Sequence, residues 1–158
     1  MVTHPIPPVF DKESKILILG SFPSVKSREE GFFYGHPQNR FWKVTALVTG
    51  ENVPKTVDEK KAFLLRNHIA LWDVIGSCEI TGSSDSSIRN VKVNDISGIL
   101  NNADIKAIYL NGGKAYQYYQ KYLLPITGRE GICLPSTSPA NAAWNIDRLV
   151  SAWQVILK

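Results

Sequence analysis

Four clusters of small polar residues interrupt the chain: Gly20-Ser21-Phe22-Pro23-Ser24, residues 73–77, Asn111-Gly112-Gly113 and Pro135-Ser136-Thr137-Ser138. They supply Gly, Ser, Thr, Asn and, in Asp73, one carboxylate, with Pro to stiffen the turns. Such groups make contact through backbone amides, hydroxyls and carboxamides, without a bulky cation. Between the first two clusters runs Phe32-Phe33-Tyr34-Gly35-His36-Pro37-Gln38-Asn39-Arg40-Phe41-Trp42, which sets aromatic rings beside a neutral amide. Each polar residue also has an ordinary structural reading. Asn39 can cap a helix opening at Arg40-Phe41-Trp42. Asp73 can end a strand or pair with Arg89, Asn111 can form a turn before two glycines, and His36 beside Pro37 can shape its loop. Other chemistries lack their signatures: neither G-x-x-x-x-G-K-[ST] nor G-x-G-x-x-G is present, and no G-x-S-x-G elbow exists for a serine hydrolase.

The polar clusters follow apolar runs. Residues 15–19, 69–75, 105–110 and 131–134 read as buried parallel strands. Helical periodicity fills the gaps: Phe41, Val44, Leu47 and Val48 form one stripe, and Thr56 with Glu59 makes a capping box for another helix. Ile96, Ile99 and Leu100 mark a third, Ala115, Tyr118, Tyr119, Tyr122 and Leu123 a fourth, and Ile146, Leu149, Val150, Trp153 and Leu157 the last. Parallel neighbours need crossovers, and right-handed crossovers place helices on both faces of the sheet. The expected fold is therefore α/β, a three-layer α/β/α sandwich around a central four-stranded parallel sheet. Ligands in such sheets sit beyond the carboxyl ends of the strands, where the four polar clusters fall. Residues 81–90 form the one polar loop long enough to suggest a function.

The 158 residues, with 44% hydrophobic content, suit a single domain spanning residues 1–158. Eighteen Lys and Arg against fourteen Asp and Glu leave a net charge of +4, a mild excess compatible with a polyanionic partner. The start, Met1-Val2-Thr3-His4-Pro5, has no secretion signal, and no apolar run is long enough for a bilayer. A cytoplasmic or nucleoid-associated protein without a membrane anchor is expected. Cys78 and Cys133 are far apart and His4, His36 and His68 are scattered, so no metal is expected, and both thiols are expected reduced, inside or near the core.

Taken together, GSFPS, the aromatic loop with HPQNRFW, LWDVIGSCE and PSTSPAN resemble the uracil-DNA glycosylase superfamily, from about Ile16 to the C-terminal helix. Its members carry a G-x-x-P turn after the first strand, a stacking aromatic, an H-P-x-N-R-F-W segment in the mismatch-specific branch, and a P-S loop after the fourth strand. Two positions depart from the best-known members. Phe22 stands where an Asp or Asn before the proline positions water, and Leu134 stands where the second motif opens with His or Asn. With those departures the chain resembles the hypoxanthine-DNA glycosylase branch.

That resemblance implies a monofunctional enzyme of base excision repair. It would flip hypoxanthine, the deaminated form of adenine, out of DNA and hydrolyse its glycosidic bond, leaving an abasic site. Catalysis passes to Asn39, whose neutral amide can accept from and so orient the attacking water; a transition state with oxocarbenium character needs no strong base. Tyr34 takes the position of the aromatic that stacks on the flipped base, with Phe33 as a neighbour that could substitute and Phe22 as a pocket wall. Asp73 would accept the N1–H of hypoxanthine and repel the N1 lone pair of adenine, and Asn111 would bond the base at O6 or N7. Ser21, Ser24, Ser136, Thr137 and Ser138 suit phosphate contacts, His36 is a secondary acid candidate, and Pro139 or Ala140 could fill the vacated stack. A monomer without cofactor or metal, acting on DNA that contains a deaminated base, is expected. Two alternatives stay open: excision of uracil or another deaminated base, and a non-catalytic nucleic-acid-binding module on a glycosylase-like fold.

Overall fold

The computed structural model describes residues 1–81 and 87–157; the middle of the polar loop singled out at 81–90 lies outside the described residues. Elements run in the order β1 (Val2–Thr3), β2 (Ile16–Gly20), α1 (Val25–Glu30), α2 (Phe41–Thr49), α3 (Val57–Arg66), β3 (Ile69–Asp73), β4 (Ile75–Glu79) and β5 (Arg89–Val93). They continue with α4 (Ser97–Asn102), β6 (Ala107–Asn111), α5 (Gly113–Tyr118), a π turn (Tyr119–Leu123), α6 (Leu124–Thr127), β7 (Gly131–Leu134) and α7 (Ile146–Trp153).

Four parallel strands in the order β3-β2-β6-β7 form the central sheet. The central strand β2 is buried along its whole length, which its unbroken aliphatic sequence Ile16-Leu17-Ile18-Leu19 allows. Alternate side chains serve opposite faces. Ile16 and Ile18 join Phe41, Trp42, Phe63, Leu64, Leu149 and Trp153 from α2, α3 and α7. Leu17 and Leu19 pack with Ile99, Ala115, Tyr119 and Leu123 on the other face. The α/β fold with helices around a four-stranded parallel sheet is as the periodicity predicts. So is the capping box: the Thr56 hydroxyl accepts from the Glu59 N–H at 3.0 Å, and the Glu59 carboxylate accepts from the Thr56 N–H at 3.3 Å.

The run 69–75 is not one strand. It breaks at Val74, because the Val74 N–H donates to the Gly20 carbonyl at 2.8 Å and the Ile75 N–H to Ser21 at 3.1 Å, turning the chain across the end of β2. β4 then enters a second, antiparallel sheet of order β1-β4-β5, which hydrophobic periodicity did not reveal. Asp73 is left at the corner between the two sheets. The thiols also differ from each other: Cys78 is buried, whereas Cys133 on the outer strand β7 is exposed, contrary to expectation. Among the described residues no helix is long and apolar enough to cross a membrane.

Candidate active site

A cavity of about 310 Å³ opens beyond the carboxyl ends of the central strands, lined by all the polar clusters. The parallel register sets its floor. Gly20, the last residue of β2, lies directly beside Asp73, the last of β3, while Asn111 ends β6 opposite Leu134. Leu134 is a buried core residue. Gly20 is required here by contact: a Cβ built on it would overlap the Asp73 Oδ1 and the Tyr34 Oη.

One hydrogen-bond chain organises the wall formed by residues 34, 39, 111 and 137. The Thr137 N–H donates to Asn111 Oδ1 at 3.1 Å, which fixes the orientation of that amide, since an N–H can only donate. Asn111 Nδ2 then donates to Tyr34 Oη at 3.1 Å and to Thr137 Oγ1 at 3.0 Å. The one hydroxyl proton of Thr137 is passed on to Asn39 Oδ1 at 2.9 Å. Asn39 Oδ1 also accepts from the Phe41 N–H at 2.9 Å, a two-residue turn leading into α2; the cap position itself is Arg40, so Asn39 is not the helix cap its place in the sequence suggested. Both lone pairs of that oxygen are thereby occupied. Among the described residues its Nδ2 has no hydrogen-bond partner and is left as a donor for the cavity, whereas the expectation was an amide that accepts from water. Asn111 is likewise in the cavity wall, but with both amide protons given to protein acceptors it has none left for O6 or N7.

Thr137 corrects a second expectation. It is fully buried, with its hydroxyl held between two carboxamides, and is therefore unavailable to a phosphate. The other hydroxyls line the cavity and also serve the backbone. Ser24 Oγ accepts from the Ser27 N–H as the cap of α1, Ser136 Oγ from the Ser138 N–H, and Ser138 Oγ from the Ala140 N–H, each at 3.1 Å. Ser21 lines the cavity with them, and Pro139 and Ala140 stand exposed at its rim. His36 Nδ1 accepts from the Gln38 N–H at 3.1 Å, a loop-shaping bond within reach of the cavity.

Asp73 is 3% exposed, and its partner is a residue periodicity and spacing left unassigned. His4 Nε2 donates to Asp73 Oδ2 at 2.7 Å. β1 delivers this histidine: Val2 and Thr3 pair with β4, and the His4 N–H donates to the Gly76 carbonyl at 2.7 Å. The ring then sits among Phe22, Phe33 and Trp72, with centroids 5.8 to 6.1 Å away. Arg89, the partner considered for Asp73, instead lies on β5 across from Glu79. A lone histidine beside Pro5 carries no spacing signal that points 69 residues ahead.

Tyr34 stacks on Phe41 at 4.2 Å between centroids and 22° between planes, so one face of its ring is already covered. It adopts φ 53°, a left-handed conformation that costs about 1 kcal/mol or more and is held by the surrounding contacts. Burial, and after it the negative charge of Asp73, pushes its phenol above the ordinary value. Phe33 is a core residue at the cavity edge, and Phe22 walls the cavity with the Arg28 guanidinium 5.5 Å above its ring.

Arg40 was unassigned as well. Its guanidinium donates to the carbonyls of Ser138 at 2.8 Å and Asn141 at 3.1 Å and to that of Trp144, while its backbone N–H donates to Thr137 at 3.1 Å. One planar, multiply donating head thus ties the HPQNRFW segment to the PSTSPAN loop and holds Asn39 near Thr137. Arginine within a motif suggests phosphate; nothing in its local sequence shows that its donors are turned inward to carbonyls. Among the described residues no three His, Cys, Asp or Glu side chains are grouped to hold a metal ion.

A family model described as the uracil DNA glycosylase superfamily matches residues 7–157. A hypoxanthine DNA glycosylase of Methanosarcina acetivorans is 38% identical over 160 residues, covering 100% of this chain and 99% of that protein. One from Methanosarcina barkeri is 35% identical over 137 residues, with 85% of each chain covered. The solution NMR structure of a Methanosarcina acetivorans protein assigned to the uracil DNA glycosylases superposes with a TM-score of 0.84 at 36% identity, covering 99% of this chain and 97% of that one. The chain belongs to the uracil DNA glycosylase superfamily.

Proposed function

We propose, with superfamily membership as the premise, that this chain is a monofunctional DNA glycosylase that excises hypoxanthine by hydrolysis and leaves an abasic site. The observation that carries the reading is one cavity holding both a buried carboxylate, Asp73, and an immobilised neutral amide, Asn39. Both relatives compared above bear the name hypoxanthine DNA glycosylase.

Asp73 receives the N1–H of hypoxanthine; adenine, with a lone pair at N1, would leave the buried carboxylate without a donor, at a cost of about 1–3 kcal/mol or more. Asn39 works from its Nδ2 end. A donor there holds the oxygen of a water and positions it for attack. The glycosidic C1′–N bond breaks with its electron pair leaving on the base, the water oxygen bonds the oxocarbenium-like C1′, and the proton the water then sheds ends on the departing base, so no strong general base is needed. The departing base is held against Asp73 and the aromatic wall of Phe22, Phe33 and Tyr34. Ser21, Ser24, Ser136 and Ser138 frame the mouth, where the kinked phosphodiester would pass. The enzyme works as one domain and as a monomer on DNA in the cytoplasm or nucleoid, without a cofactor.

The test uses duplexes with a single hypoxanthine or uracil, followed by alkaline cleavage of abasic sites. Strand scission at hypoxanthine is expected, and Asn39→Ala should lose it while still binding the duplex. Absence of scission at every deaminated base would leave only a nucleic-acid-binding module.

A further inference from the structure

We infer that Asp73 and Tyr34 act as an acceptor and donor pair reading the lactam edge of the base, N1–H beside C6=O, with His4 and Asn111 fixing the polarity of each. The inference rests on the glycosylase reading above and adds the means by which a deaminated base is told from an amino base.

Two oxygens converge over Gly20, Asp73 Oδ1 and Tyr34 Oη, in the space that a side chain at that position would fill. Each is supported from behind by a bond that determines what it can offer. His4 Nδ1 accepts from the Ile6 N–H at 3.2 Å, so the ring proton resides on Nε2 and is donated to Asp73 Oδ2. The carboxylate therefore receives on one oxygen and presents the other as an acceptor. Asn111 works in the opposite sense. Its Nδ2 donates to Tyr34 Oη, and because its own orientation is locked by the Thr137 N–H, it cannot reverse and accept from the phenol. Among the described residues Tyr34 makes no other hydrogen bond, which leaves its O–H as a donor to whatever enters the cavity. Its raised ionisation range keeps that proton in place at any physiological pH.

Hypoxanthine is complementary to this pair: N1–H meets Asp73 and O6 meets the Tyr34 hydroxyl. Adenine reverses both positions, placing a lone pair against the carboxylate and an amino group against the phenol proton. The chemistry recognised is the amino-to-keto exchange itself. Uracil carries the same edge as N3–H and C4=O, and guanine as N1–H and C6=O, so their exclusion must arise from ring size and from the wall facing C2. Tyr34 thus reads the base edge through its hydroxyl, a role that takes the place of face-to-face stacking of its ring on the base, and His4 and Asn111 are positioning residues that do not touch the base.

The test is single-turnover excision from duplexes carrying hypoxanthine or unsubstituted purine, which lacks both N1–H and O6. Tyr34→Phe keeps the stack on Phe41 and removes the hydroxyl, which is both the donor to the base and the acceptor of the Asn111 amide; the loss of the latter weighs equally on the two bases and cancels in their ratio. Its hypoxanthine rate should fall about tenfold to a hundredfold, and its hypoxanthine-to-purine ratio should contract by a similar factor, relative to the wild type. His4→Ala should contract the ratio too, and His4→Gln, whose amide can donate to Asp73, should recover most of it. An unchanged ratio in Tyr34→Phe, or a parallel loss on both bases, would overturn the pair. A His4→Gln protein as indiscriminate as His4→Ala would overturn the part assigned to His4. Failure of the wild type to release any base would remove the glycosylase reading and this inference together, whereas wild-type excision with an unchanged ratio in Tyr34→Phe removes the inference alone.

Discussion

Asp73 and Asn39 line the same cavity, yet they are held in different ways. Asp73 is a carboxylate at a sheet corner, almost wholly out of solvent, and its main support comes from a histidine 69 residues earlier in the chain. Asn39 is a neutral amide at the edge of a helix, only partly buried, and half its support is the N–H two residues on. The difference follows from charge. A buried ionised group without a donor is costly, so recognition by a carboxylate needs a dedicated partner behind it. A carboxamide near solvent needs only to be kept from rotating, and a local turn bond plus one hydroxyl does this.

The contrast can be broken by separating activity from stability. Asn39→Ala should lower excision at least a hundredfold, the scale of losing one oriented polar group at a reacting centre, but cost only about 1 kcal/mol of folding free energy, the scale of a lost hydrogen bond at a partly exposed side chain. A stability loss large enough to explain the inactivity in urea titration would remove Asn39 from the chemistry. His4→Ala should behave the other way, costing about 1.5–3 kcal/mol because the Asp73 carboxylate loses its donor in a buried site. Urea unfolding that is indifferent to this change would mean the pair contributes nothing to the fold.

Thr137→Val tests whether the two supports communicate. It keeps the volume but removes the hydroxyl between Asn111 and Asn39, for an expected loss of about 1 kcal/mol and a fall in excision near tenfold. An unaltered rate would show that the Phe41 N–H alone orients Asn39. The smallest effect concerns alkaline pH. Burial raises the phenols of Tyr34, Tyr109 and Tyr119, so the unfolded chain releases these protons first. Their contribution is complete below the ordinary tyrosine value of about 10 and is lost as pH rises through the higher folded values. Urea midpoints measured across that range should decline, and Tyr34→Phe should decline less; equal slopes would contradict the burial of the Tyr34 phenol.

Much of this site is legible where partners are neighbours in sequence. Gly20 to Ser24, the HPQNRFW segment and the PSTSPAN loop announce themselves as polar turns after apolar strands, and Thr56 with Glu59 states its own helix start. Partners brought together by topology leave no such mark. β1 is two residues long, too short for periodicity, and Val74-Ile75 continue the apolar run of β3 although the chain there changes sheets. His4 and Arg40 escaped for that reason: one is aimed at a distant carboxylate, the other at carbonyls, which every residue has. The roles of Asn111 and Thr137 depend on the direction in which each proton is given, and only the assembled network defines it.

The register that sets Gly20 beside Asp73 makes the parallel ladder a ruler for the site. Strand residues repeat at about 3.3 Å and alternate faces, so one residue inserted into β2 would shift the floor by that distance and turn its atoms toward a helix layer. Substitutions on the outer helices leave the ruler untouched. The cavity should therefore tolerate wide change in composition around the sheet and almost none in the length of the two strands beneath it.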